Sequence, residues 1–229
     1  MLERNEKLGK KIEFQNVEFS VIIDNVSSGK ICDAGAAGIT VTDGRKEKVD
    51  FSDTYFTSVQ YVVYKNGALT PAGKTADGDD FVTWDQLAGL KIGVQQDTTG
   101  DIYSSDVPAN WGFGEENVER YKTGADAVEA LKSGKVTAVI IDNEPAKSFV
   151  AANEGIHILE GDNEYAIEDY AICVAKENTD LLDKINAALE KLTADGTIDK
   201  IMDATEEMLC EAEGIGPELA KKIKDYFKE

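Results

Sequence analysis

Apolar and polar residues alternate along "KIEFQNVEF", residues 11–19, and the alternation predicts a half-buried strand. A stronger β run follows in "SVQYVVYK", rich in β-branched and aromatic side chains. Between them, "SVIIDNVSSGK" opens with helical spacing, but Asp24, Asn25, Ser27 and Ser28 weaken the pattern. "DAGAAGITVT" reads as a buried strand of small residues ending in a turn, and "GRKEKVDFS" as a short polar helix. Later, "TWDQLAGLKIGVQQDTTGDIYSSD" predicts a short helix, an apolar strand, a turn, and a helix opening at the threonines. "GADAVEALKSGKV" predicts a helix stopped by glycine and feeding the strand "TAVIID". Helix "EPAKSFVAAN", strands "IHIL" and "DYAICVAK", and the amphipathic helix "TDLLDKINAALEKLTADG" complete the main series. Residues 2–10 read as the end of a helix, and "TIDKIMDA" as one more short helix. Strands and helices alternate almost throughout, so the fold class is α/β.

A run rich in Gly, Thr and Asp interrupts the alternation. Residues 66–85, opening with "NGALTPAGKTADGDD", read as a hinge or linker loop between two lobes. The first lobe is then 1–65 together with 168–204, the second is 86–167, and 205–229 stand apart as a C-terminal segment.

Charge narrows the range of functions. The 229 residues carry 44 acidic and 24 basic side chains, a formal net charge of -20. Such a surface repels phosphate backbones and anionic membranes unless its basic residues cluster, so general nucleic-acid binding is disfavoured. Cys32, Cys173 and Cys210 lie far apart without metal-binding spacing, and read as buried apolar thiols. No run reaches transmembrane length and no signal peptide is evident. Catalytic motifs are absent, and the single histidine, His157, lies between isoleucines in "GIHILEG". Enzyme is therefore the weaker class, and no cofactor or metal is expected.

The informative stretches are "AAGITVTDGRKEKVDFSDTYF", "LKIGVQQDTTGD" and "AVIIDNEPA". Each ends a strand and opens a turn or helix, where open α/β sheets place ligands. Together they offer a guanidinium, two hydroxyls at a helix N-terminus and a carboxylate. These stretches resemble the amino-acid-binding family of extracytoplasmic solute-binding proteins, the capture subunits of ABC importers. The resemblance runs from about Lys11 to Ala204. It implies a two-lobed type II periplasmic-binding fold of the Venus flytrap kind, closing on one polar amino acid without chemistry. It also implies a place outside the cytoplasm and the importer's membrane subunits as partners.

By the same resemblance, Arg45 binds the ligand α-carboxylate, helped by Thr40 and the backbone at Gly38 from its own lobe and by Thr98 and Thr99 from the other. Asp142 holds the α-ammonium, and Phe19 packs on the ligand side chain. Elementary physics favours these roles, because a zwitterion leaving water needs both charges paired. An arginine forks onto a carboxylate, and a helix N-terminus favours an anion. Asp97 departs from the family, which usually has glycine there.

The family also begins with a strand–loop–helix unit of which only the tail, "EKLGKKIEF", is recognisable here. The first lobe is thus expected to lack its first strand–helix unit, a gap that a swapped element of a second copy would fill in a homodimer. The C-terminal "EEMLCEAEGIGPELAKKI" resembles a helix-hairpin-helix unit, whose turn at Gly214 and Gly216, with Lys221 and Lys222, would face a phosphate. Three readings stand: a hairpin packed on the first lobe, a permuted first helix, and a DNA contact opposed by the neighbouring glutamates. The truncation and the graft together suggest an engineered or recombined chain, with loss of ligand binding as the alternative function.

Overall fold

The structure, a computed structural model, describes residues 13–74, 78, 80–158 and 167–198. The expectations for residues 2–10, for most of "TIDKIMDA" and for the C-terminal hairpin lie outside the described residues. In chain order the elements are α1 (Ile22–Ser27), β1 (Ala34–Gly35), α2 (Asp43–Lys48), β2 (Val49–Phe51), β3 (Phe56–Lys65), β4 (Gly73–Lys74) and β5 (Asp80–Phe81). Then follow β6 (Ile92–Gln95), α3 (Thr99–Ser105), β7 (Val118–Tyr121), α4 (Gly124–Lys132), β8 (Ala138–Asp142) and α5 (Asn143–Ala152). The series ends with β9 (Ile156–Ile158), β10 (Ile167–Tyr170), β11 (Cys173–Ala175) and α6 (Thr179–Ala194).

Two compact units emerge. Described residues up to Phe56 and from Asp169 onward form the first, and Thr57–Glu168 form the second. The chain passes between them inside β3 and inside β10, which are neighbours in one sheet. The sequence reading had put residues up to 65 in the first lobe and 66–85 in a linker. Instead, Val62, Val63 and Tyr64 are buried core of the second unit, and the described residues of 66–85 belong there too, with β4 and β5 paired. β3 pairs with β8 and β9, so its apolar side chains are buried in the second unit.

The first unit has a three-stranded antiparallel sheet in the order β1-β11-β2. Val26, Ile39, Val49 and Cys173 form its buried centre, with Phe19, Ile22 and Ile23 packed against them. Gly35 permits this packing, since a Cβ there would come within 2.7 Å of Ile22 and 2.8 Å of the Cys173 sulfur. The described residues of the expected strand at 11–19 form none: residues 13–18 are exposed coil, and Phe19–Val21 form a 3-10 turn entering α1. Alternation alone does not make a strand, and no strand of the described residues pairs with this stretch. The expected strand in "DAGAAGITVT" shrinks to β1 and a single bridge from Thr40 to Tyr170.

The second unit has a sheet in the order β10-β3-β8-β6-β7, with β9 also on β3. β6 runs parallel to β7 and β8, while β3 runs antiparallel to β8 and β9. Alternate residues feed two cores. Val62, Tyr64, Ala138 and Ile140 point to one, while Val63, Val139 and Ile141 join Val128 and Leu131 of α4 in the other. Burial on both faces explains why these strands read as continuous apolar runs.

Threonines start three of the helices. Thr42, Thr98 and Thr123 each accept a hydrogen bond from the backbone N–H three residues on. Arg120 of β7 donates through Nε to both carboxylate oxygens of Asp101 on α3, at 2.9 and 2.8 Å, and through its other nitrogens to Glu115 and Ser105. Glu115 first and Asp101 second raise the pKa of Arg120 above its usual value. No helix of the described residues is long and apolar enough to cross a membrane.

Burial pushes the Cys173 thiol up to about 11, so almost no thiolate exists at neutral pH. In native protein at pH 8, Cys173 is expected to resist iodoacetamide until the chain is unfolded. Peptide mass mapping of the alkylated cysteines checks this, and fast native labelling of Cys173 would contradict the packing described.

Candidate functional site

Four of the sequence-selected residues meet in the first unit. Thr42 caps α2 and fixes the direction in which Arg45 leaves the helix. Arg45 is 8% exposed; its Nη1 donates to the Thr40 carbonyl at 2.8 Å, and its guanidinium carbon lies 5.4 Å from the centre of the Phe19 ring. A guanidinium over an aromatic face gains from the ring quadrupole, and more so away from water. Thr40 is buried and bridged to Tyr170, so the segment bearing the carbonyl is tied to β10. Gly38 has φ of 57°, and a Cβ there would come within 3.1 Å of the Tyr170 ring. Both facts favour glycine. Burial raises the pKa of the nearby Tyr55 phenol, with a backbone hydrogen bond from Gly38 opposing it.

Three others lie in the second unit. Thr98 is the N-cap of α3: its hydroxyl donates to the Gln95 carbonyl at 2.8 Å and accepts from the Asp101 N–H at 3.3 Å. Thr99, in the first turn, is 2% exposed. Asp142 ends β8 and is the N-cap residue of α5. The side chains of Thr99 and Asp142 meet at one group, the Nε2 amide of Gln60. That same nitrogen donates to Glu168 Oε2 at 3.0 Å.

Gln60 and Glu168 were not selected from the sequence. The available signal was the lone polar side chain inside "SVQYVVYK", which burial on both faces makes costly unless it is hydrogen-bonded. Glu168 gave no local signal, because its neighbour Gln60 is remote in the chain. Asp101 and Arg120 were missed for the same reason.

Asp97 has φ of 62°, in the left-handed region. Its N–H donates to Asp101 at 2.9 Å, closing the turn before α3. A glycine adopts this conformation freely, and aspartate is among the few other residues that tolerate it. The departure noted in the sequence therefore leaves the turn intact while adding a carboxylate. Gly214, Gly216, Lys221 and Lys222 lie outside the described residues. Among the described residues, no group of three or more His, Cys, Asp or Glu side chains is placed to hold a metal ion.

Comparison with known proteins finds relatives over most of the chain. The arginine-binding extracellular protein ArtP of Bacillus subtilis is 26% identical over 196 residues, which are 86% of this chain and 71% of that protein. The glutamine-binding protein GlnH of an ABC transporter in the same organism is 30% identical over 192 residues, 84% of this chain and 64% of its own length. Among solved structures, an ancestral arginine-binding protein bound to arginine superposes with a TM-score of 0.70 at 39% identity, covering 85% of this chain and 80% of that one. Holo ArgBP of T. maritima gives 0.70 at 34% identity, covering 85% and 79%. The matching family model spans residues 2–204. The chain therefore belongs to the bacterial extracellular solute-binding proteins, family 3.

Proposed function

We propose that this protein captures a polar amino acid and presents it to the membrane subunits of an ABC importer, without altering it chemically. The carrying observation is Arg45, a buried guanidinium laid over the Phe19 ring at the start of α2. A guanidinium fixed in one place by a carbonyl and an aromatic ring presents a planar fork of donors, and a ligand α-carboxylate is the anion whose geometry matches that fork. In this reading Thr40, Gly38, Thr98 and Thr99 assist at the carboxylate, and Asp142 accepts the α-ammonium. The relatives' names make arginine, glutamine and histidine the first candidates. Their family works outside the cytoplasm, and the same setting is proposed here.

A thermal-shift panel of the twenty amino acids tests the reading. A true ligand at a hundred times its dissociation constant adds about 2.7 kcal/mol to stability and raises the melting temperature accordingly. Arg45→Met is expected to weaken that ligand by at least about 30-fold, since truncating one member of a buried ion pair costs roughly 2 kcal/mol or more. No shift with any amino acid, in folded protein, sinks the proposal.

Asp97 gives a second test. Asp97→Gly keeps the backbone turn, so its urea midpoint should report a change of less than about 1 kcal/mol. Removing the charge beside the carboxylate-binding turn is expected to tighten amino-acid binding by about threefold to tenfold, measured by calorimetry at low salt.

A further inference from the structure

Glu168, Gln60 and Asp142 form a row across three adjacent strands, β10, β3 and β8. Gln60 is the direct register partner of Asp142 in the antiparallel ladder, so the two side chains emerge on the same face. Both Gln60 and Glu168 are only 1% exposed. The amide nitrogen of Gln60 has two hydrogens and three acceptors in reach. The shorter bonds to Asp142 Oδ1 and Glu168 Oε2 outrank the 3.4 Å contact to Thr99 Oγ1.

The orientation of that amide is dictated by its surroundings. Turned over, it would set its oxygen against carboxylate oxygens of Asp142 and Glu168. As placed, the oxygen lies over Gly100, where a Cβ would come within 2.8 Å of it. Gly100 thus leaves room for the only orientation that serves both carboxylates. Gln60 Oε1 is buried and accepts no hydrogen bond among the described residues, so the side chain is held through its nitrogen.

We propose that Gln60 is the positioning residue of the ammonium subsite, holding the Asp142 carboxylate in one rotamer with Glu168 as its anchor on the far side. This rests on the reading of Asp142 as the group that accepts the ligand α-ammonium. An amide suits the task because it is neutral. It holds both carboxyl groups through N–H donation and adds no positive charge beside Asp142, so Asp142 is left to meet the ligand's cation. A lysine or arginine at 60 would hold Asp142 as well, but would compete with the ligand for it. Discrimination between an amino acid and its deaminated counterpart is therefore set partly by a residue that need not touch the ligand.

The test compares the unmodified protein with Gln60→Met, which keeps the length and loses the donor. The probes are L-arginine and 5-guanidinopentanoate, which is arginine without its α-amino group, each titrated by calorimetry. The expected result is a loss of about 10-fold or more for L-arginine with less than about 2-fold for the deaminated probe. In parallel, side-chain coupling constants from NMR on ligand-free protein should show one Asp142 χ1 rotamer in the unmodified chain and averaging in the variant. Glu168→Met, which frees the amide from its other side, should reproduce both effects more weakly and serves if Gln60→Met does not fold. An equal loss on both probes, or an Asp142 rotamer unchanged by the substitutions, overturns the proposal. If the unmodified protein binds neither probe, arginine capture fails as a reading while the rotamer measurement still decides the role of Gln60.

Discussion

The pairing of β3 with β8 is the constraint on which most of the second unit depends. Gln60 to Tyr64 lie antiparallel to Asp142 to Ala138, and this register does two things at once. It sends Val62 and Tyr64 to one core and Val63 to the other, so helices and loops on both faces of the sheet have something to cover. It also sets Gln60 opposite Asp142 at the end where β8 gives way to α5. A slip of one residue would exchange the faces of every side chain in the strand. Core and polar row are therefore fixed by the same hydrogen-bond ladder.

The first unit follows a different economy. Its sheet is small, and much of its cohesion comes from close packing of short segments around Cys173, Ile39 and Val26. There the buried guanidinium of Arg45 is held by local means: a threonine cap one turn earlier, a carbonyl five residues back, and the Phe19 ring. The two groups of candidate residues thus differ in origin. One is assembled from neighbours in sequence, the other from three strands far apart in the chain.

That difference explains what could be read from the residues alone. Arg45, Thr40 and Gly38 stand within one short motif, and it was the resemblance of that motif to a family that singled them out, while Thr98 also carried the local signal of a helix start. The long apolar run of β3 and the amphipathic span of α6 were equally plain. Gln60 and Glu168 acquire their meaning only from the neighbours that β-pairing supplies, and no local window contains those. The failed strand at 11–19 has the complementary cause: its alternation was visible, but a strand also needs a partner. The expected lobe boundary after 65 failed because a strand can leave one unit and be buried in another without any break in its sequence pattern. The short β7 left too few residues for periodicity to register.

The discontinuity of the first unit has a consequence for how the molecule is made. Its central strand is β11, flanked by β1 and β2, yet β11 leaves the ribosome only after the whole of Thr57–Glu168. During synthesis β1 and β2 must wait without the strand that joins them, while β6, β7 and β8 already have one another. The second unit can therefore take shape first and close the long loop that separates the two pieces of the first, bringing their ends together before any contact between them contributes. The strand order therefore favours one order of assembly, in which the part folded inside the chain draws together the two pieces of the first unit.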